Sequence, residues 1–306
     1  MKKVLIATEK PFAKAAVEQI KEVFDKANYE TILLEKYTDK ADLLAAIEDV
    51  DGVIIRSDKA TKEVLDAAKN LKVIVRAGAG YDNIDLEAAT ANKVVAMNTP
   101  GQNSNAVAEL AIGMMVFMAR NKFNGTAGTE LKGKTLGIHA YGNVGKYVAS
   151  IAKGFGMTVY AFDPFVEKTA IEADGVKPLD SVEELYKTCQ YISLHIPAND
   201  KTKESINFDL LSSMPKGATL VNTARKEVVL EADLKKLFEA RDDFKYLSDI
   251  APNCADVLMA SYENRCYFTP KKMGAQTSEA NINAGIAAAN QIVNLLENAD
   301  KTFKVN

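Results

Sequence analysis

Short β-branched runs alternate along this chain with segments of helix length, and this alternation restricts the possible folds more than any other feature. Val4-Leu5-Ile6, Thr31-Ile32-Leu33-Leu34, Gly52-Val53-Ile54-Ile55 and Lys72-Val73-Ile74-Val75 read as strands, with residues 14–26 and 40–48 as helices between them. Apolar runs separated by amphipathic helices mark βαβ units of a parallel sheet, whose strands are covered on both faces. After a long helical stretch, residues 104–122, the pattern restarts with strands at 135–139, 158–162, 191–195, 219–222 and 245–248. A second sheet is therefore expected to begin near residue 134. Residues 281–298 read as one more helix with no strand to follow, expected to pack back on the first lobe.

At 306 residues the chain exceeds the roughly 100–200 of one ordinary domain, so two lobes are expected. The predicted division is 1–98 with 284–306, and 99–283. A hydrophobic fraction of 47% is that of a globular protein, and a net charge of −3 without a basic run argues against a nucleic-acid partner. The first apolar run stops at Thr8-Glu9-Lys10, too short for a signal segment. No stretch approaches the roughly 18 apolar residues that span a bilayer, so no membrane partner is expected. Cys189, Cys254 and Cys266 have neither disulfide nor metal-ligand spacing, so packing thiols, no metal and a cytoplasmic location are expected.

Where the second sheet begins, strand 135–139 runs into Ala140-Tyr141-Gly142-Asn143-Val144-Gly145 and then a helix. A glycine-containing turn between strand and helix lets backbone amides approach a pyrophosphate, aided by the helix dipole. The next strand ends at Asp163, the acidic residue expected about 20 positions on to bond ribose hydroxyls and repel a 2′-phosphate. The reading is a Rossmann-type loop for NAD rather than NADP. It departs from G-x-G-x-x-G at Ala140, which cannot adopt a positive φ cheaply.

Four further segments are specific together and in this order. They are Val75-Arg76-Ala77-Gly78-Ala79-Gly80-Tyr81-Asp82-Asn83-Ile84-Asp85, the run from Asn98-Thr99-Pro100-Gly101 through Gln102-Asn103-Ser104-Asn105 to Leu110, Leu194-His195-Ile196-Pro197, and Val221-Asn222-Thr223-Ala224-Arg225. With them the chain resembles the D-isomer-specific 2-hydroxyacid dehydrogenases over nearly its whole length, most closely the phosphoglycerate dehydrogenase branch. The resemblance implies two doubly wound parallel-sheet α/β domains, a flavodoxin-like substrate domain and a Rossmann NAD-binding domain. It implies that the Ala77 and Gly78 amides face the substrate carboxylate, and that Arg225 grips carboxylate and carbonyl together, a task for a planar guanidinium. Arg56, Ser57, Asn103 and Ser104 correspond to positions near a substrate phosphate. His195, Ile196, Pro197, Thr223, Ala224 and Gly274 fall on cofactor-contacting segments, and Asp249 matches the aspartate that orients the nicotinamide carboxamide.

The family's usual base, a histidine on Thr-Pro-His-x-Gly-Ala oriented by a glutamate, is missing. The only histidines, His139 and His195, fall in the second sheet and read as structural or adenine-side. Where the motif should stand the chain reads Thr269-Pro270-Lys271-Lys272-Met273-Gly274-Ala275, which places Lys272 at the histidine position with one residue extra after Pro270. Pro252-Asn253-Cys254-Ala255-Asp256 replaces the glutamate region. The two losses are coherent, because a carboxylate fixes an imidazole tautomer and a lysine has none to fix. A known branch of phosphoglycerate dehydrogenases carries lysine here, and the chain resembles it; Lys271 or a water stays open as the alternative.

The resemblance implies NAD-dependent oxidation of 3-phospho-D-glycerate to 3-phosphohydroxypyruvate, the entry to L-serine synthesis, with a phosphorylated 2-hydroxy acid as small-molecule partner. Hydroxypyruvate or glyoxylate reductase is the nearest alternative, and an NAD-sensing corepressor-like binding protein the alternative of another class. A homodimer through helix 104–122 is expected, and with the chain ending at Asn306, no serine feedback through a C-terminal regulatory domain.

Overall fold

The computed structural model describes residues 1–306 and divides into two compact units, Met1–Asn103 with Gln276–Asn306, and Ser104–Ala275. Residues 276–283, predicted with the nucleotide lobe, thus belong to the first unit, as do 99–103.

The first unit runs β1 (Lys3–Thr8), α1 (Lys14–Lys26), β2 (Glu30–Glu35), α2 (Lys40–Ile47), β3 (Gly52–Ile55), α3 (Lys62–Ala67), β4 (Val73–Arg76), α4 (Leu86–Ala91) and β5 (Val95–Asn98). All strand pairs are parallel, in the order β2-β1-β3-β4-β5, which is the flavodoxin-like winding. Every residue of β3 is buried, as a strand covered on both faces by helices must be. The C-terminal helix Ser278–Asn298 covers one face: Ala284, Ala288, Ala289 and Ile292 share a core with Val4, Ile6, Ile20 and Phe24. It begins three residues before the predicted start because Thr277 caps it, its hydroxyl oxygen accepting from the Ala280 amide at 3.1 Å.

The second unit runs α5 (Ser104–Ala119), β6 (Thr135–His139), α6 (Asn143–Gly154), β7 (Thr158–Phe162), α7 (Lys168–Ala173), β8 (Lys177–Pro178), α8 (Val182–Thr188), β9 (Tyr191–Leu194), α9 (Phe208–Ser212), β10 (Thr219–Asn222), α10 (Glu231–Ala240), β11 (Lys245–Ser248), α11 (Ala255–Tyr262) and β12 (Cys266–Phe268). Its seven strands are parallel in the order β12-β11-β10-β9-β6-β7-β8. Counted from β6 this is the Rossmann order 3-2-1-4-5-6 with one strand added. The order reverses between β6 and β9, and ligands of such sheets bind beyond the carboxyl ends of the strands at that reversal.

All three cysteines are free and buried, and burial pushes their thiols up, to about 12 for Cys189 and Cys266 and about 11 for Cys254. They are packing groups. No helix is long and apolar enough to cross a membrane.

Candidate active site

The glycine-containing loop follows β6 at the reversal. Ala140 stands there with φ +80°, the left-handed conformation that the motif's first glycine would adopt without strain. Gly145, in the first turn of α6, cannot be replaced in place: a Cβ would lie 2.5 Å from the Ala140 carbonyl oxygen and 3.0 Å from Ile138. At Gly142 a Cβ would meet nothing within 4 Å, so the backbone there is open to an approaching group. The first bond of α6 runs from the Lys146 amide to the Gly142 carbonyl, which leaves the amides of Asn143 and Val144 without a carbonyl a turn earlier. This open backbone at a helix N-terminus fits a pyrophosphate.

Two loop residues differ from their simplest reading. Tyr141 donates its amide to Asp163 Oδ2 at 2.7 Å and its hydroxyl to Asp174 at 3.1 Å, with the ring buried, so it shapes the loop from beneath. Asp163 accepts from the Phe165 amide through Oδ1 at 2.8 Å. Its carboxylate therefore ties β7 to the glycine loop, and the lone pairs left over are those available to ribose hydroxyls.

In the first unit the amides of Ala77 and Gly78 both have backbone partners. The Ala77 amide bonds the Ile55 carbonyl at 2.8 Å, continuing the β3–β4 ladder, and the Gly78 amide turns back to the Arg76 carbonyl at 2.9 Å. Neither is an open donor in this arrangement. Above Gly78 lies Arg76, a residue not singled out from the sequence: a Cβ on Gly78 would fall 1.6 Å from Arg76 Nη1. Arg76 donates through Nε to the Arg56 carbonyl at 3.2 Å, and burial lowers its pKa. Its signal was the charge at the end of an otherwise apolar strand.

Arg56 is half-buried and engaged. Its Nη1 donates to the carbonyls of Lys10 at 3.2 Å and Pro11 at 3.1 Å, its Nη2 donates to Asn281 Oδ1, and its guanidinium lies 4.9 Å from the Phe12 ring centre. Ser57 beside it is exposed; Asn103 is half-buried and Ser104, first residue of α5, is buried.

In the second unit Arg225 and Lys272 line one pocket together with Asn222, Thr223, Ala224, Lys226, Ser248, Asp249 and Ile250. Two of these come from the carboxyl ends of β10 and β11. Asn222, buried at the end of β10, donates to the Arg225 carbonyl at 2.9 Å and accepts from the Ala224 amide at 3.0 Å, which folds the turn that presents Arg225. Lys226, also not singled out, adds a second cation beside it and donates to Asn253 Oδ1 at 2.6 Å. Asp249 is buried and accepts from the Met273 amide at 2.7 Å, the Gly274 amide at 2.8 Å and the Thr269 hydroxyl at 3.1 Å.

Both histidines are held neutral by burial. His139 falls to about 4 and lies near the Tyr186 hydroxyl at 3.3 Å. His195 falls to about 3 by burial and then by the proximity of His139, with Nδ1 3.5 Å from Thr223 Oγ1 and Nε2 without a partner. A base so weak takes up little proton at neutral pH. Ile196 is buried and the Pro197 carbonyl accepts from Thr202, so this segment is a packed turn. In the stretch that replaces the expected glutamate, Glu231 accepts from the Asn253 amide at 2.7 Å and the Cys254 amide at 2.9 Å, both oxygens being taken by the start of α11.

Residues 105–260 match the family model described as D-isomer specific 2-hydroxyacid dehydrogenase, NAD binding domain. The chain belongs to this family. The D-3-phosphoglycerate dehydrogenase of Methanocaldococcus jannaschii is 38% identical over 280 residues, 84% of this chain and 52% of that protein. The chain thus spans about half the length of several curated relatives it matches. The hydroxypyruvate reductase of Thermotoga maritima is 34% identical over 279 residues, covering 84% of this chain and 88% of that one. Among solved structures, the NAD+-bound 3-phosphoglycerate dehydrogenase of Entamoeba histolytica matches 100% of this chain and 98% of its own, with a TM-score of 0.85 and 46% identity.

Proposed function

We propose that this dehydrogenase oxidises 3-phospho-D-glycerate to 3-phosphohydroxypyruvate with NAD, in the cytoplasm and as a homodimer, at the entry to L-serine synthesis. The observation that carries the reading is the pocket that joins Arg225 and Lys272 at the ends of the Rossmann strands, in a chain 46% identical to the NAD+-bound Entamoeba enzyme.

NAD, when bound, supplies the acceptor for the hydride leaving C2 of the substrate. The open backbone of Gly142, Asn143 and Val144 would hold its pyrophosphate, Asp163 its ribose, and Asp249 its carboxamide. His195, Ile196, Pro197, Thr223, Ala224 and Gly274 would line the remainder. Arg225 binds the substrate carboxylate and holds C2 in place, its planar fork matching two oxygens at once. Lys272 takes the proton from the C2 hydroxyl as the carbonyl forms, and in reverse its ammonium returns that proton to the keto oxygen. A lysine accepts a proton only in its neutral form, so oxidation gains and reduction loses as pH rises through its pKa. By the family resemblance, Arg56, Ser57 and Asn103 of the first unit and Ser104 at the start of the second are assigned to the substrate phosphate.

A second reading, hydroxypyruvate reductase, is favoured by the engagement of Arg56 with Lys10, Pro11 and Asn281 and by the Thermotoga relative. Wild type and Arg56→Ala assayed on 3-phosphoglycerate and on glyoxylate separate the two. We expect Arg56→Ala to lose about tenfold or more in kcat/KM for phosphoglycerate and little for glyoxylate. Equal effects on both substrates would support the reductase.

A further inference from the structure

The Lys272 segment is held by one buried carboxylate. Asp249 follows β11, and its oxygens take three hydrogen bonds from the turn that carries Lys272: Oδ1 from the Met273 amide at 2.7 Å and the Thr269 hydroxyl at 3.1 Å, Oδ2 from the Gly274 amide at 2.8 Å. Two of the donors are the residue immediately after Lys272 and the next one. The Asp249 amide itself bonds the Asn222 carbonyl at 2.9 Å, and the Thr269 amide the Ser248 carbonyl at 3.1 Å, so the clamp is anchored to the central sheet. Gly274 is part of the same construction, since a Cβ there would lie 2.8 Å from Asp249 Oδ2 and 3.1 Å from a methyl of Val107. Asp249 and Thr269 are both almost fully buried, at 1% and 2% exposure. Charge-assisted bonds in such a site are stronger than neutral ones and fix geometry closely.

We infer that Asp249 is a positioning residue for Lys272: its carboxylate holds the turn from Thr269 to Gly274 so that the lysine projects into the Arg225 pocket. It thereby does for the lysine what a separate glutamate does for an imidazole. This rests on the reading of Lys272 as the proton-transfer group, and it goes beyond a cofactor contact at Asp249. A carboxylate has about four lone-pair sites, and three are used by the turn. One remains for a cofactor amide, so the two roles coexist.

The test compares Asp249→Asn and Gly274→Ala with Lys272→Ala. Asparagine places an NH2 against one of the amides that Asp249 accepts, and Gly274→Ala pushes the turn away while leaving every charge in place. In the protein without cofactor, hydrogen exchange at the Met273 and Gly274 amides is expected to quicken about tenfold or more in both variants, with β10 unchanged. Turnover at saturating NADH is expected to fall about tenfold or more, and the pH limb set by the lysine to move. Unchanged exchange at both amides overturns the inference. So does a turnover fully restored by saturating NADH, which makes Asp249 a cofactor contact alone. The exchange measurement decides the clamp without reference to catalysis. Wild-type turnover in Lys272→Ala separately removes the lysine reading.

Discussion

At the scale of single residues, Ala140 bears a conformation its side chain resists. The turn out of β6 requires φ near +80°, and the Ala140 carbonyl is then the atom that Gly145 packs against. Ala140→Gly should relieve the Cβ strain, offset in part by the greater freedom of glycine in the unfolded chain, for a net gain of about 1 kcal/mol. A rise in the thermal midpoint of about 2–4 °C in the protein without cofactor, with NADH binding at least as tight, is the expected result. An unchanged or lower midpoint would show that the strain is absorbed elsewhere. This departure from the glycine motif was visible in the sequence, but the sign of φ was not. Arg225, Asp249 and Lys272 each sit on an ordered motif, and all three line one pocket. Arg76 showed only as a charge ending an apolar strand and Lys226 only as the neighbour of Arg225, and neither pattern tells in one dimension which surface the side chain faces. The partner of the Ala77 amide was not visible either, because it is set by a strand distant in sequence, here at Ile55.

At the scale of elements, β6 and β9 are neighbours whose ends carry the two histidines, the His195 amide bonding the His139 carbonyl at 2.9 Å. Burial lowers their pKa values to about 4 for His139 and about 3 for His195, against about 6.5 in an unfolded chain. Folded and unfolded states both leave them neutral above that value. As pH falls through the window from about 6.5 toward 4, the unfolded chain binds protons that the folded one refuses, and stability declines. The urea midpoint should therefore drop between pH 7 and pH 4.5, and His139→Gln should lose less over the same interval. A variant with the wild-type slope would assign the loss to other groups. The long buried strands were legible from their β-branched runs. β8 and β12, of two and three residues, are too short to show as apolar runs, and β5 (Val95–Asn98) has a single β-branched residue. Their pairing comes from the sheet edge that receives them: β5 on β4, β12 on β11 and β8 on β7.

At the scale of the whole molecule, two parallel sheets of five and seven strands follow from the alternation of apolar runs with amphipathic helices. The alternation alone does not give strand order, since right-handed crossovers permit winding from either side of the first strand, but the family resemblance implied the flavodoxin-like and Rossmann orders that are found. The family assignment and the NAD binding domain agree with that order, so the cofactor end of the reaction is well anchored. What is particular to the proposed mechanism is Lys272 as the acid–base group, on a turn with one residue extra after Pro270 and with Lys271 directly beside it. Steady-state oxidation of 3-phosphoglycerate by wild type, Lys272→Ala and Lys271→Ala, at saturating NAD across pH, tests that claim most directly. Lys272→Ala is expected to lose about 100-fold or more in kcat together with the pH limb of the wild type, while Lys271→Ala stays within about threefold. Wild-type turnover in Lys272→Ala, or a loss confined to Lys271→Ala, would contradict it.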